Sequence, residues 1–260
     1  MSKGFSTFLK DTDTVLHSQY TMERYKEGLT GKHRNVADPV FTFEKPVFKK
    51  KLDLPLASTN ARASDYLKKR KLDPTKFYYA DRYKHFCNTV KPTFETTKND
   101  HSRVVIPFYS RENSLIGFQG RSLDSHVIPK YLTVMLDEDT PKVYGLDKVN
   151  TDEEIYVTEG PFDSSFIGNS IAMCGSDVDL SDFDFRFIFV YDNEPRSREI
   201  VSKITKTIEQ SHKVVIFPQH IREKDINDMV LSGHDIKKLL ESNTYSGLEA
   251  KLKLQTWKKV

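Results

Sequence analysis

Three apolar segments in the second half of the chain are each followed by acidic residues, and this pattern constrains the fold most strongly. The segments are residues 154–158, 186–191 and 213–217. Segments that are apolar on both faces and are joined by helices predict a parallel β-sheet with right-handed crossovers. A fourth strand at 170–173 and helices at 162–168 and 197–211 complete this alternation. The sequence therefore predicts an α/β fold in which the strand ends share one edge.

Acidic residues follow these strands at the positions where parallel strands share that edge. Glu159 comes directly after the first strand and is followed by Gly160, which permits close approach of the backbone. Asp192 follows the 186–191 strand, and Asp225 comes a short loop after the last one. Each acid alone could be a solvated carboxylate or a helix cap. Together, at the edge where α/β sheets bind ligands, they predict a site for a divalent metal that handles phosphates.

The composition favours a globular protein with one large domain or two small ones. Of its 260 residues, 37% are hydrophobic and 30% are charged. No apolar run approaches the roughly 20 residues that span a bilayer, and residues 1–5 lack the apolar core of a signal peptide. We therefore expect a cytoplasmic protein with no membrane partner. Cys87 and Cys174 are isolated, which argues against a disulfide scaffold and against a cysteine-rich zinc site.

The net charge of +3 hides an asymmetry along the chain. Residues 30–76 contain 12 Lys or Arg and 5 Asp or Glu, a net of +7. Residues 151–199 contain 3 Arg and 12 Asp or Glu, a net of −9. This distribution suits a polyanion that is held by one region and acted on through cations by the other. Two solvated faces would give the same pattern.

Changes in periodicity and in proline content predict five segments. They are a helical segment at 1–30, a linker at 31–55, a mixed α+β subdomain at 56–150, the α/β domain at 151–235 and a helical tail at 236–260. In the first segment we expect one helix over 5–27. In the third, we expect Ser64 to cap a short helix at 65–70. Residues 103–108 and 115–121 predict a β-hairpin.

Two spacings within the acidic region resemble a known domain. Glu159-Gly160-x-x-Asp163 and Asp192-x-Glu194, placed after successive strands, resemble the TOPRIM domain of bacterial-type primases, topoisomerases and some nucleases. Upstream segments narrow the resemblance to the DnaG-type primases, and most nearly to those of T-even-type tailed phages. These segments are 63–72, 103–108, 115–121, 129–132 and 142–146. The resemblance covers about residues 57–235.

The resemblance implies the catalytic core of a DNA primase, which synthesises short RNA primers on single-stranded DNA by metal-dependent nucleotidyl transfer. Its cofactor would be Mg²⁺ or Mn²⁺. The implied metal ligands are Glu159, Asp192, Glu194 and Asp225, with Asp163, Asn227 and Asp228 as further ligands or outer partners. The basic residues implied to line the template and nucleotide channel are Arg103, Arg121, Lys130 and Lys142. The implied partners are single-stranded DNA, ribonucleoside triphosphates and a hexameric replicative helicase.

The chain departs from the family pattern at three points. Glu194 stands where an aspartate is usual and is one methylene longer. Asn227 stands where many primases have an aspartate, which removes a charge and lowers the expected metal affinity. The cysteine-rich zinc ribbon that normally begins such primases is missing from this sequence, so we expect either a catalytic fragment or a zinc module on another chain. No zinc is expected in this chain.

Two other functions would use the same residues. A TOPRIM nuclease would direct water at a phosphodiester with the same acids and metal, although the segments at 115–121 and 129–132 argue against it. A non-catalytic adaptor would bind only DNA or helicase, although the retained acids argue against that. The basic, amphipathic tail at 236–260 is expected to pack on the core, with docking to a helicase as the alternative.

Overall fold

The computed structural model describes residues 5–26, 52–137, 140–175, 180 and 183–260. The chain divides into two units, Met1–Pro46 and Val47–Val260. Most of the linker predicted at 31–55 lies outside the described residues. Within the described ranges, every helix is too short or too polar to cross a membrane.

The described part of the first unit forms two helices, α1 (Phe5–Thr12) and α2 (Thr14–Lys26). The single helix predicted over 5–27 is wrong at its centre, because Asp13 separates the two helices. The Asp13 carboxylate accepts a hydrogen bond from the backbone N–H of Val15 at 2.9 Å. A side chain that satisfies the first N–H groups of a helix favours a new start there, so a local cap overrides the apolar periodicity.

The second unit begins with an antiparallel sheet of four strands in the order β1-β2-β3-β4. The strands are β1 (Tyr78–Ala80), β2 (Arg103–Tyr109), β3 (Leu115–Ser122) and β4 (Tyr131–Met135). The helices of this region are α3 (Ala61–Lys69) and α4 (Tyr83–Val90). The predicted hairpin is confirmed as β2 and β3, with Val105 opposite Gly120. Ser64 is not the helix cap, because Asn60 caps α3 and accepts the N–H of Ala63.

A six-stranded sheet follows, in the order β10-β9-β8-β6-β7-β5. Its strands are β5 (Val143–Tyr144), β6 (Ile155–Thr158), β7 (Ser170–Met173), β8 (Phe187–Val190), β9 (Lys213–Val215) and β10 (Thr244–Tyr245). Its helices are α5 (Pro161–Ser164), α6 (Arg198–Glu209), α7 (Ile226–Leu231), α8 (Ile236–Ser242) and α9 (Gly247–Trp257). The strands β6 to β9 are parallel, whereas β5 and β10 pair antiparallel at the two edges. The predicted α/β fold class and its parallel sheet are confirmed.

One hydrophobic core joins the two sheets. Ile106 and Phe108 of β2 belong to the same buried cluster as Ile155 of β6 and Phe189 of β8. Burial of apolar side chains is the dominant favourable contribution to folding, so the two sheets stabilise each other. The edge strands β5 and β10 lie outside residues 151–235. The larger sheet therefore extends beyond the segment predicted for the α/β domain.

Candidate active site

The acidic residues lie at the carboxyl ends of the parallel strands. Glu159 directly follows β6, and Asp192 lies two residues beyond the end of β8. Asp225 is reached from β9 through a loop and caps α7, where it accepts the N–H of Asp228 at 2.7 Å. Because β6, β8 and β9 run parallel, these three ends lie at the same edge of the sheet.

Two carboxylates at this edge, Asp163 and Asp192, have raised pKa values. Burial raises the pKa of Asp163 to about 7, and repulsion from Asp225 and from Asp192 adds to the increase. Burial also raises the pKa of Asp192 to about 6, with repulsion from Glu159 as the next largest cause. Asp225 and Glu194 contribute further to the raised pKa of Asp192. The other four carboxylates thus lie within electrostatic reach of Asp192, and we call the five together the acidic cluster.

Two lysines neutralise part of the acidic cluster. The ammonium of Lys203, on α6, lies 3.1 Å from Glu159 Oε1. The ammonium of Lys224 lies 3.6 Å from Asp192 Oδ2 and 3.2 Å from Glu194 Oε2. Opposite charges at such distances favour the ionised form of a carboxylate. The protein therefore supplies its own counter-charges to three of the five acids.

The donor set suits a hard divalent cation, because Mg²⁺ and Mn²⁺ prefer carboxylate oxygens. In the part of the chain that the structure describes, no three His, Cys, Asp or Glu side chains converge closely enough to form a metal-binding group. The carboxylates have protein partners instead. Glu159 pairs with Lys203, and Asp163 Oδ1 accepts the N–H of Asn227 at 3.0 Å. The ammonium groups of Lys203 and Lys224 are thus the counter-charges of the acidic cluster in this structure.

Asn227 and Asp228 occupy unlike environments. Asn227 is 2% exposed, and its Oδ1 accepts from Arg70 Nη1 at 2.7 Å. Its Nδ2 donates to the backbone carbonyl of Arg70 at 2.8 Å, so the whole amide is engaged with the end of α3. The structure thus favours Asn227 as an outer partner of Asp163 over the role of metal ligand. Asp228 is exposed, and partial burial followed by repulsion from Asp225 raises its pKa.

The structure corrects the role predicted for Arg103. Its side chain is 3% exposed, so it does not line an open channel. The guanidinium donates to the carbonyls of Gly120, Lys130 and Pro129 at 3.0, 2.8 and 3.0 Å. A buried cation needs such hydrogen bonds, and here they tie β2 to the segment before β4. Arg103 therefore supports the backbone that carries Lys130.

Arg121 lies near the acidic cluster. Its guanidinium stacks over the ring of Tyr131, 4.5 Å from the centroid, and donates to the hydroxyl of Tyr66 at 3.1 Å. Burial raises the pKa of Tyr131 to about 12, with Arg121 lowering it and Asp163 raising it further. Arg121 and Asp163 are thus both close to the same ring.

Lys130 and Lys142 are exposed. Among the described residues, the side chain of neither lysine forms an ion pair or hydrogen bond with the acidic cluster. The structure therefore brings one of the four predicted basic residues, Arg121, next to the predicted acids. It buries Arg103 and leaves the two lysines at the surface.

The helical tail packs on the core beside the acidic cluster, as the sequence favoured. Leu254 and Trp257 of α9 are buried. The indole Nε1 of Trp257 donates to Asn193 Oδ1 at 3.1 Å, and Asn193 is the middle residue of the Asp-x-Glu motif. A residue at the end of the chain therefore helps to position the loop that carries two of the five acids.

Sequence reasoning missed Arg70, Lys203, Lys224 and Trp257 as residues that contact the site. Lys203 stands one helical turn after Glu199, a spacing that predicts the ion pair seen at 2.9 Å. That spacing predicts only the ion pair with Glu199 within α6, and it does not predict the contact with Glu159. Trp257 is the sole tryptophan of the chain, and a buried indole N–H usually needs an acceptor. Neither signal identified the partner.

Solved structures of primases have similar folds. No protein-family model matches the chain. Its structure is similar to the zinc-binding and RNA polymerase domains of Aquifex aeolicus primase, with a TM-score of 0.55 and 21% identity, covering 72% of this chain and 57% of that one. It is also similar to a DnaG primase catalytic domain bound to single-stranded DNA, with a TM-score of 0.53 and 20% identity, covering 75% and 74%. The fold is that of DnaG-type primase catalytic cores.

Sequence similarity to a known protein shows the family of this chain in addition to its fold. The DNA primase of Enterobacteria phage T4 is 30% identical over an alignment 269 residues long, which covers 97% of this chain and 78% of the relative. The chain therefore belongs to the DNA primase family. It is an RNA-polymerising enzyme, a nucleotidyltransferase, and the primase function predicted from the resemblance is confirmed. Neither the nuclease nor the adaptor is favoured by these relatives.

Proposed function

We propose that the acidic cluster is the active site of this DNA primase, and that Glu159, Asp192, Glu194 and Asp225 bind Mg²⁺ or Mn²⁺ there. The observation that carries the proposal is that these carboxylates lie at one sheet edge, where burial, and then repulsion from neighbouring acids, raises the pKa of Asp163 and of Asp192. Like charges held close together in a partly buried site are unfavourable unless a cation offsets them. Asp163, in the short helix α5, is the fifth carboxylate of the acidic cluster.

The reaction of such a site is nucleotidyl transfer, in which a 3′-hydroxyl attacks the α-phosphorus of a ribonucleoside triphosphate and pyrophosphate leaves. A divalent cation, when bound, supplies activation of the attacking oxygen and offsets charge on the triphosphate. The chain's own residues hold the carboxylates in place. The backbone N–H of Asn227 holds Asp163 at 3.0 Å, and Lys203 and Lys224 offset part of the negative charge.

We propose that Arg121, Lys130 and Lys142 contact phosphates of the template or of the nucleotide. Arg121 has the strongest support, because it lies beside the same ring as Asp163. The carbonyl of Lys130 itself accepts a hydrogen bond from Arg103, so the backbone of Lys130 is anchored to β2 although its side chain is exposed. Contacts of this kind position nucleic acid without reading its sequence, and they weaken as salt increases.

We also propose the partners and the domain arrangement that follow from this function. Single-stranded DNA is supported as template because a structurally similar DnaG catalytic domain is bound to it. Ribonucleoside triphosphates, a hexameric helicase and a zinc-ribbon module on another chain are the further proposed partners, with the host cytoplasm as the place of action. Residues 56–150 would form the N-terminal subdomain and residues 151–235 the TOPRIM domain, preceded by a linker at 31–55 and followed by the tail.

Asp192→Asn tests the active site. The amide keeps the shape of the side chain but removes one charge from the acidic cluster, so we expect RNA synthesis on single-stranded DNA with Mg²⁺ to fall at least about 100-fold. The measurement is incorporation of labelled ribonucleotides into short RNA, with the DNA template followed in the same reaction.

Asp184→Asn is the matched control. Asp184 is exposed and precedes the same strand, β8, at the opposite end of the sheet, so this variant should keep wild-type synthesis. RNA synthesis that survives Asp192→Asn at the wild-type rate would contradict the proposed site. Shortening of the template with no RNA product would favour a nuclease.

A further inference from the structure

A cleft of about 740 Å³ lies where the tail packs against the loop that carries Asp192 and Glu194. Its walls come from three parts of the chain: the loop after β8, the loop after β9, and the end of α9. The lining residues include Glu194, Arg196, Ser197, Arg222, Trp257 and Lys259. A volume of this size is typical of small-molecule sites.

Three cations of this cleft lack a counter-charge. Arg196, Arg222 and Lys259 are exposed, and among the described residues the side chain of each has no ion pair or hydrogen bond. A guanidinium presents its N–H groups in a fixed fork that matches the oxygens of a phosphate. The cleft is therefore rich in free donors of a kind suited to anions.

The remaining charges of the cleft do not cancel this positive character. Of the described residues that line it, Glu194 alone carries a carboxylate, and Lys224 pairs with that carboxylate at 3.2 Å. The 12-residue helix α6 starts at the same wall, since its N-cap Ser197 lines the cleft. The positive end of its dipole adds to the three side chains.

Hydrogen bonds join the three walls. Trp257 Nε1 donates to Asn193 Oδ1 at 3.1 Å, and Asn193 Nδ2 donates to the carbonyl of Ile221 at 3.0 Å. The backbone N–H of Lys259 donates to the carbonyl of Pro195 at 2.8 Å. The backbones that carry the three cations are therefore tied to one another, which lowers the ordering cost of binding a ligand between them.

We propose that this cleft binds phosphate groups that take part in nucleotidyl transfer: the triphosphate of a nucleotide or the pyrophosphate that leaves. Glu194 belongs both to this cleft and to the acidic cluster, so a polyphosphate held here would lie next to the carboxylates. The choice of this ligand rests on the proposed function. The phosphates of a nucleic-acid backbone have the same chemistry and are the other source to be distinguished.

The sole tryptophan of the chain lines the cleft, so its fluorescence reports on occupancy directly. Inorganic pyrophosphate is titrated into the full chain in EDTA, and tryptophan emission is followed. We expect a saturable change in the wild type. Arg196→Ala and Arg222→Ala should each weaken pyrophosphate binding about tenfold, because each removes charge-assisted hydrogen bonds. Lys251→Ala, an exposed cation of α9 that does not line the cleft, should leave the binding unchanged.

A parallel titration with a single-stranded oligonucleotide separates the two sources of phosphate. Loss of pyrophosphate binding in the arginine variants supports the proposal that the cleft binds the phosphates of a nucleotide. Loss of oligonucleotide binding alone assigns the cleft to the nucleic-acid backbone and refutes binding of nucleotide phosphates. Equal binding of both probes by the wild type and the arginine variants, or no change in emission with either probe, refutes the site.

The test is independent of the acidic cluster because EDTA removes divalent cations. If Asp192→Asn leaves RNA synthesis intact while the arginine variants lose pyrophosphate binding, the active-site proposal fails and the phosphate cleft stands. If Asp192→Asn abolishes RNA synthesis while the arginine variants keep pyrophosphate binding, the phosphate cleft is refuted and the active-site proposal stands. Unchanged emission of each free variant confirms that the environment of Trp257 is preserved.

Discussion

Asn227 connects Asp163 of the acidic cluster to Arg70 at the end of α3. Its backbone N–H holds Asp163, and its side-chain amide exchanges two hydrogen bonds with Arg70, at 2.7 and 2.8 Å. Buried polar groups are costly when they lose their partners. At the scale of single residues, Asn227 therefore determines where Asp163 lies relative to α3.

We expect Asn227→Ala to lower the free energy of unfolding by about 2–4 kcal/mol, because it leaves the guanidinium and the carbonyl of Arg70 without their partner. Urea denaturation of the metal-free protein measures the change. Asp228→Ala is the matched control on the same helix, since Asp228 is exposed. Wild-type stability in Asn227→Ala would show that the Arg70 contact does not stabilise the fold.

At the scale of elements, α4 packs against β3 at a glycine. The ring of Tyr83, which is fully buried, occupies the space that a Cβ added to Gly120 would need. The hydroxyl of Tyr83 donates to the carbonyl of Leu132 at 2.7 Å, so the ring has no room to move outward without losing this bond. The close packing of α4 on the smaller sheet therefore depends on the missing side chain at position 120.

Gly120→Ala should lower the free energy of unfolding by about 1–3 kcal/mol, because extra volume in a packed core forces neighbouring side chains to shift. Thermal unfolding followed by circular dichroism measures the effect. In Gly168→Ala the added methyl has no atom within 4 Å, so this control should retain wild-type stability. Equal melting temperatures of the two variants would contradict the tight contact with Tyr83.

At the scale of the whole molecule, the parallel sheet concentrates negative charge at one edge. Glu159, Asp192 and Asp225 follow the carboxyl ends of β6, β8 and β9 at this edge. The carboxyl of Asp163 beside them is buried. Raised pKa values are the consequence, at about 7 for Asp163 and about 6 for Asp192. The arrangement that makes the edge suitable for a cation thus destabilises the metal-free fold.

This charge gives the metal-free protein a pH dependence of known sign. An acid with a pKa that is higher in the folded state than in the unfolded state binds protons on folding, so its contribution to stability falls as pH rises through the folded pKa. We therefore expect the free energy of unfolding in EDTA to increase when the pH is lowered from about 8 to about 5, because the folded pKa values of Asp163 and Asp192, about 7 and about 6, lie above their ordinary value of 3.8. Urea denaturation across this range measures it.

Asp163→Asn provides the comparison, since it removes the group with the higher of the two pKa values. The variant should show a flatter pH profile and a higher stability than the wild type near pH 8. Hydrogen bonds lower the pKa of Glu223 to about 2. Its contribution to stability therefore falls as the pH decreases, at pH values below this range. An unchanged slope in Asp163→Asn would contradict the raised pKa of that carboxyl.

Local sequence determined the elements and the edge at which the acids meet. Apolar runs of strand length and the helical repeat between them are properties of neighbouring residues, and they predicted β6 to β9 and α6 within a few residues. Because parallel strands must align their carboxyl ends, the position of Glu159, Asp192 and Asp225 at one edge followed from the same pattern. Where a local cap competed with periodicity, as at Asp13, the prediction failed.

Tertiary structure alone decided which distant residues meet. Lys203 pairs with Glu159 across 44 residues of sequence, and Trp257 reaches Asn193 across 64. Periodicity shows that a residue faces the interior, but it does not show what lies opposite, because that depends on how α6 and α9 pack over the sheet. The same limit explains Arg103, which the resemblance placed in the template and nucleotide channel and whose three carbonyl acceptors allow it to be buried.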